Sequence, residues 1–331
     1  MRLLRWSLIV LLLGAVGSGA WVWRWLDRPL PLATPTVELS IEPGATPREV
    51  ANAWVRAGVR AQPVMLYEWF RWSGDARRIR AGSYVAGPEV TPRQLLAKMV
   101  QGEEFFERVR LLEGWTLSQF RAELARAPYL KPASAGMSDA QLMAALGAPS
   151  VPAEGHFFPD TYVYGRGVSD LTVLKRAYAH MQRQLQAAWN SRAEGLPLKS
   201  PEEALILASI VEKETGKASD RAQIAGVFTN RLRKGMPLQT DPSVIYGLGE
   251  SFDGNLRKRD LLADGPYNTY TRAGLPPTPI AMPGLASIRA TLSPERTKAL
   301  YFVARGDGSS VFSESLVEHN RAVNTHQRGS R

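Results

Sequence analysis

The sequence predicts an α+β fold with an N-terminal transmembrane helix, a small α/β module and a larger mixed α+β domain. Three observations lead there. An uncharged stretch runs from Trp6 to Trp23 behind the positive start of Met1, Arg2 and Arg5. Short alternating segments next to helix-start signals recur between residues 37 and 120. Long helical patterns then occupy roughly 170–190, 200–215 and 219–234, followed by a stretch rich in Pro, Gly, Asn and Tyr from 236 to 284. A chain of 331 residues has room for two folded units. Its 44% hydrophobic and 22% charged residues are ordinary for a globular protein.

Residues 1–26 form the cytoplasmic start and the anchor. The eighteen residues from Trp6 to Trp23 are near the lower limit for a bilayer-spanning helix. Ser18-Gly19-Ala20 would serve as a signal-peptide cleavage site. The cluster Trp21, Trp23 and Trp25 instead suits the interfacial belt of a retained, single-pass anchor, and that reading is preferred. Either way the rest of the chain lies outside the cytoplasm. Residues 27–36 hold three prolines and read as a stiff linker.

The small module spans 37–105. Val37, Leu39 and Ile41 alternate with Glu38 and Ser40 as in a strand. Thr46-Pro47-Arg48-Glu49 is a capping box with proline at the first helical position, and Val50, Ala53, Trp54 and Ala57 make the buried face. Gly82–Val85 reads as a second strand. Thr91-Pro92-Arg93-Gln94 opens a helix with Leu95, Leu96, Met99 and Val100 inward. A connecting region covers 106–153: Val109 and Leu111 mark a strand, and Thr116-Leu117-Ser118-Gln119 is a third box. Residues 126–153, rich in Ala, Pro, Ser and Gly, read as a loosely packed helical connector. The larger domain covers 154–325 and a tail 326–331.

Lys and Arg number 41 against 31 Asp and Glu, a net charge of +10. Residues 1–28 hold four basic and one acidic residue, so the remainder carries 37 against 30, a net +7. Such an excess fits nucleic acid, membrane headgroups or an acidic polymer. Outside the cytoplasm nucleic acid is not an expected partner. Without cysteine there are no disulfides, thiolate metal sites or Cys nucleophiles. GxxxxGK[ST] and HExxH are both absent, and His156, His180, His319 and His326 show no metal-ligand spacing, so neither metal nor cofactor is expected.

The most informative segment is Ser200–Gly216. Ser200 is an N-cap, Pro201 the first helical residue, Glu203 completes a box and Gly216 ends the helix, which accounts for the acidic pair Glu202 and Glu203 structurally. At 100° per residue, Glu214 shares a side with Ile206, Leu207, Ile210 and Val211, while Glu212 points nearly the opposite way. A carboxyl group ending an apolar stripe acquires the raised pKa that a general acid needs. The alternative is a Glu214 that swings from the last turn into water. Ser219 or Asp220 caps the next helix, with Ile224, Val227, Phe228 and Leu232 inward. Beyond it, Gln239, Tyr246, Asn268 and Tyr270 stand beside rigid prolines. Aromatic faces and neutral amides of this kind suit sugar rings and their acetamido groups. Asp241 is either a second catalytic carboxylate or, as Asp-Pro more often is, a turn or helix start. Glu154 and Asp160 are placed to support the cleft.

The runs Leu207–Thr215, Val227–Leu232, Gly235–Gly247, Tyr267–Tyr270 and Gly274–Pro277, with Glu154–Tyr162, resemble the endolytic murein transglycosylases (MltG-type, YceG-like) in order and spacing from about residue 37 to 320. The resemblance implies a single-pass inner-membrane protein with a LysM-like module over 37–105 and a periplasmic catalytic domain. It implies a lyase acting on peptidoglycan glycan strands and limiting their elongation, beside penicillin-binding synthases. The family's catalytic Glu, directly before Thr, corresponds to Glu214. Gln239, Thr240, Asp241, Tyr246, Asn268, Tyr270, Asn230 and Glu154 are the candidates for substrate contacts. The sequence departs from the family at Met282, where Asn is usual, and at Ser309-Ser310, where Gly-His is frequent, while Glu318-His319-Asn320 is retained. The expected reaction is non-hydrolytic cleavage of the MurNAc–GlcNAc β-1,4 bond to 1,6-anhydro ends. A water-using muramidase and a non-catalytic peptidoglycan-binding scaffold are the rivals.

Overall fold

A computed structural model describes residues 14, 17–102, 106–214 and 217–328. The expected transmembrane helix lies largely outside the described residues. Among those described, 17–26 are helical, and no helix is long and apolar enough to cross a membrane. The chain divides into two compact units. The smaller runs to Glu107 and takes in Pro128–Leu130 and Val163–Val168; the larger comprises Arg108–Ala127, Lys131–Tyr162 and Ser169–Arg331.

In the smaller unit, β1 (Val37–Ile41) is followed by α1 (Pro47–Ala57) and α2 (Pro63–Trp72). Strand β2 (Gly82–Ala86) and α3 (Pro92–Gln101) come next. β1 and β2 pair antiparallel, Val37 opposite Ala86 and Ile41 opposite Gly82. The boxes at Thr46/Glu49 and Thr91/Gln94 both form as expected. They start α1 and α3 at fixed points, which lets Trp54, Leu66, Phe70, Tyr84, Leu95 and Met99 close into one core. Residues 27–36, expected as a linker, are instead packed into this unit. Leu30 is buried, its N–H donates to the Val90 carbonyl (2.8 Å), and Leu32 pairs with Val59. The alternation of proline and leucine there covers a core edge. Arg166 joins the unit, pairing with Glu38 and with Glu107 (3.4 Å) and stacking on Tyr129.

β3 (Phe106–Arg110) pairs with β4 (Thr161–Gly165). In the larger unit, α4 (Leu117–Arg126) begins at the expected Thr116/Gln119 box. The connector is partly helical and mostly exposed. A fourth box, Ser138/Gln141, starts α5 (Asp139–Ala145), which buries Leu142 and Met143. It is pinned at Ser134, whose hydroxyl (2.6 Å) and N–H (3.0 Å) donate to the buried Asp170 carboxylate.

α6 (Asp170–Asn190), α7 (Pro201–Glu214) and α8 (Arg221–Arg233) follow. A single 3-10 turn, Ala218–Asp220, precedes α8, and neither Ser219 nor Asp220 caps it through a side chain; Asp220 instead accepts from the Ser310 N–H (2.7 Å). α9 (Asp241–Leu248), α10 (Lys258–Leu262) and α11 (Leu285–Leu292) lead to the hairpin β5 (Tyr301–Ala304) and β6 (Ser310–Ser313) and to α12 (Leu316–Val323). α7 is central. Every residue from Ala204 to Val211 is buried, and α6, α8, α9 and α11 all pack on it. A helix that is apolar all round belongs inside a core. Met282 is also buried here, its backbone bonded to Trp115 and Gly114, so its departure from the family pattern falls at a core position.

Candidate active site

The buried helix α7 delivers Glu214 at its last residue, where the helix emerges from the core. The side chain does not swing into water. It is half-buried, and its Oε1 accepts a short hydrogen bond from the Thr240 hydroxyl. Burial pushes its pKa up to about 7 from 4.5. Thr240 opposes the rise, the nearby Asp241 charge adds to it, and the Arg231 cation opposes it.

Thr240 is itself fixed. Its N–H donates to Thr269 Oγ1 (3.0 Å), and Ser243 bonds both its carbonyl and Thr269 Oγ1 (2.9 Å each). Thr269 is a residue the sequence reading passed over. Asp241, at the first position of α9, is exposed and accepts from the Tyr270 hydroxyl at 2.5 Å. Burial and the Asp241 carboxylate both raise the Tyr270 pKa, keeping that phenol protonated as the donor. Gln239 is exposed and adopts a left-handed backbone with φ of 50°, which a side-chain-bearing residue seldom does. Its N–H donates to the Thr269 carbonyl (3.0 Å), so the loop holds it there.

Arg231 is the larger omission. Its Nε donates to the Leu300 carbonyl (2.7 Å), and Nη1 to the carbonyls of Pro237 (3.2 Å) and Leu238 (2.9 Å) and to Gln239 Oε1 (3.3 Å). It is buried and lies over the Tyr301 ring. The signal was available: Ile224, Val227, Phe228 and Arg231 share one face of α8, and a cation on an inward face needs partners.

Glu154 and Tyr246 make a second cluster. The Glu154 carboxylate accepts from the Leu117 N–H (3.1 Å) and the Tyr246 hydroxyl (3.3 Å). Burial raises its pKa to about 7, against the opposing effect of both donors. Tyr246 meets Tyr267 edge-on, ring centres 4.9 Å apart. Gly155, with φ of 83°, lies so close to the Pro279 ring that no Cβ fits, which locks the turn carrying Glu154.

Two predicted contact residues have other tasks. Asn268 is buried. Its Nδ2 donates to the carbonyls of Asp260 (3.1 Å), Leu261 (3.2 Å) and Ala263 (2.7 Å), and its Oδ1 accepts from the Tyr270 N–H (2.9 Å). It clamps the end of α10 and aims Tyr270. Asn230 Nδ2 donates to the carbonyls of Thr297 (2.8 Å) and Ala299 (3.1 Å), on the side of α8 that meets the approach to β5. Both amides read the same way in the sequence as ligand-binding amides, since only their burial distinguishes them. Asp160 pairs with His180 (3.7 Å) and joins neither cluster. No group of three or more His, Cys, Asp or Glu side chains able to hold a metal occurs among the described residues.

A carboxyl group whose pKa lies near neutrality, held by one hydroxyl and flanked by the exposed Gln239 and Asp241 and the half-buried Tyr270, is the equipment of an acid–base enzyme. The chain belongs to the YceG-like family, which it matches over residues 39–325. It is similar to the endolytic murein transglycosylase of Bacillus subtilis (strain 168), 42% identical over 171 residues, 52% of this chain and 47% of that protein. It is also similar to the endolytic murein transglycosylase of Streptococcus pneumoniae serotype 2 (strain D39), 26% identical over an alignment of 338 residues, 91% of this chain and 61% of that protein. The chain therefore spans about half to three-fifths of the length of these relatives. Among solved structures it is similar to a YceG-like protein of Listeria monocytogenes, with a TM-score of 0.55 and 29% identity, covering 87% of this chain and 99% of that one.

Proposed function

We propose that the protein is an endolytic peptidoglycan transglycosylase that cuts the MurNAc–GlcNAc β-1,4 bond within glycan strands and leaves 1,6-anhydro-MurNAc ends. The observation that carries this reading is the half-buried Glu214, its pKa raised by burial to about 7 and its Oε1 held by the Thr240 hydroxyl. The proton of its carboxyl group passes to the glycosidic oxygen as the C1–O bond breaks. The substrate's acetamido group stabilises the cation-like centre. The resulting carboxylate then takes the proton of the C6 hydroxyl as that oxygen bonds to C1, which restores the acid. One carboxyl group serves both steps, whereas glycoside hydrolysis ordinarily uses two.

The exposed Gln239 and Asp241, with the half-buried Tyr270 and Tyr246, are the side chains available to the sugar. The muramidase reading draws on Asp241, exposed and close enough to raise the Glu214 pKa. Purified glycan strands digested by the protein and weighed by mass spectrometry separate the two, since hydrolysis adds one water for each bond cut, leaving a reducing end, and transglycosylation adds none. Glu214→Gln is expected to abolish cleavage with the circular dichroism spectrum unchanged; cleavage retained by that variant removes the assignment.

The wider reading is a single-pass inner-membrane protein, anchored by residues 1–26 with its catalytic domain in the periplasm. Its small unit serves as a LysM-like module, and the enzyme shortens nascent strands beside a penicillin-binding synthase. The uncharged stretch Trp6–Trp23 and the tryptophans that follow support the anchor.

A further inference from the structure

The smaller unit carries a groove of about 540 Å³ that the catalytic chemistry does not use. One wall is the helical segment 17–26, with Ser18, Trp21, Val22 and Trp25; the other is α2, with Val64, Trp69 and Trp72. Its rim is unusually apolar for a protein surface. Trp72 is 76% exposed, Trp23 67%, Val64 66% and Trp21 60%. Contiguous exposed apolar surface of this kind marks an interaction site.

Three features specify the occupant. The first is chemistry. Tryptophan gathers where hydrocarbon meets headgroup, and arginine stems lie along apolar surface while the guanidinium reaches phosphate. Both are present: Arg93 stacks on Trp23 (5.2 Å) and Trp69 (5.4 Å), Arg71 stacks on Trp72 (5.5 Å), and exposed Arg24 sits between Trp23 and Trp25 in sequence. The second is charge. Residues 56–80 hold six arginines against Glu68 and Asp75, which complements an anionic surface. The third is continuity. The helical wall at 17–26 contains the last residues of the uncharged stretch that runs from Trp6 to Trp23, so the groove is walled by the end of that stretch.

We propose that this face, formed by Trp21, Trp23, Val64 and Trp72, is a membrane-interface docking surface that seats the smaller unit in the headgroup layer of an anionic bilayer. The proposal rests on the anchored reading of residues 1–26 and extends it: a second, non-contiguous element, α2, enters the interface beside the anchor. A tether alone leaves the unit free to tumble, and two elements in the interface fix its orientation.

The chain contains no cysteine, so it accepts single labels. Val64→Cys and Trp72→Cys, with Glu194→Cys on exposed surface of the larger unit for comparison, are each coupled to an environment-sensitive thiol dye. The proteins are reconstituted into vesicles of phosphatidylglycerol and phosphatidylethanolamine containing a lipid with a nitroxide near the headgroup. Flotation reads the anchor, and quenching reads the docking. The expected result is that all three float and that the labels at 64 and 72 are quenched severalfold more than the label at 194. If all float but the labels at 64 and 72 stay as open to aqueous iodide as that at 194, the anchor stands and the docking surface falls. If the chain does not float, both fall. Efficient disulfide cross-linking of unlabelled Trp72→Cys in the vesicles, with labels at 64 and 72 shielded from both quenchers, assigns the face to a second copy and overturns the proposal.

Discussion

Glu214 is a group that the fold disfavours when charged, and this has two measurable signs. Its pKa stands at about 7 in the folded chain against 4.5 in the open. Below the lower value both states bind the proton, and the group's contribution to stability is fully present. That contribution is lost as pH rises through about 7, because the folded state must then hold a half-buried carboxylate. Glu214→Gln cannot ionise, so its melting temperature should exceed that of the natural protein at about pH 8 and match it at about pH 4. Catalysis reads the same ionisation from the other side. The alkaline limb of kcat/KM on purified strands should lie near pH 7. Thr240→Val removes a donor that favours the carboxylate and should move the limb up; Asp241→Asn removes a negative neighbour and should move it down. Opposite shifts test the electrostatics and not simply the presence of Glu214. Helical periodicity places Glu214 on the side of Ile206, Leu207, Ile210 and Val211, while the structure buries α7 on every side from Ala204 to Val211. Thr240's role was not legible, because its contact depends on how the 236–240 loop returns to the end of α7.

At the scale of elements, the capping boxes were the most readable feature. Each is local, with Thr or Ser three residues before Glu or Gln, so no tertiary information is needed to place α1, α3 and α4. Thr91→Ala leaves the Gln94 N–H in the first turn of α3 without its partner and should lower stability by about 1 kcal/mol in urea unfolding. α2 is the contrasting case. It begins at Pro63 without a side-chain cap, and its Val, Met, Leu, Tyr, Trp and Phe residues surround the helix. Only part of that surface is covered, by Leu66 and Phe70 in the core, so no clean stripe announces the helix. In the connector, the Ser134–Asp170 contact is the part that composition does not show, because it joins residues 36 positions apart.

For the whole molecule, the net charge of +10 excluded little by itself. Its meaning depends on the reading of residues 1–26, which takes the remaining charge outside the cytoplasm. Under the proposed function the excess attracts peptide-bearing, anionic wall material over a distance set by screening. Co-sedimentation with isolated sacculi should therefore weaken steadily as sodium chloride is raised, while the circular dichroism spectrum is unchanged. The sequence changes pattern from short strand–helix alternation to long helices, while the two units divide near Glu107 and place most of 106–153 in the larger one. The excursions of Pro128–Leu130 and Val163–Val168 into the smaller unit were not legible, because they are single short segments whose partners are far away in sequence.

Arg231 reaches the Leu300 carbonyl with one nitrogen and the Pro237 and Leu238 carbonyls with another. The β5–β6 hairpin contains no predicted catalytic group, yet the backbone leading into it is one of the supports of the loop that carries Gln239 and Thr240. In genetic terms, a premature stop codon shortly before Leu300 would be a null allele with every proposed catalytic residue intact. Suppressors of milder lesions there would be found in the loop around Gln239, about sixty residues upstream in the gene's reading order.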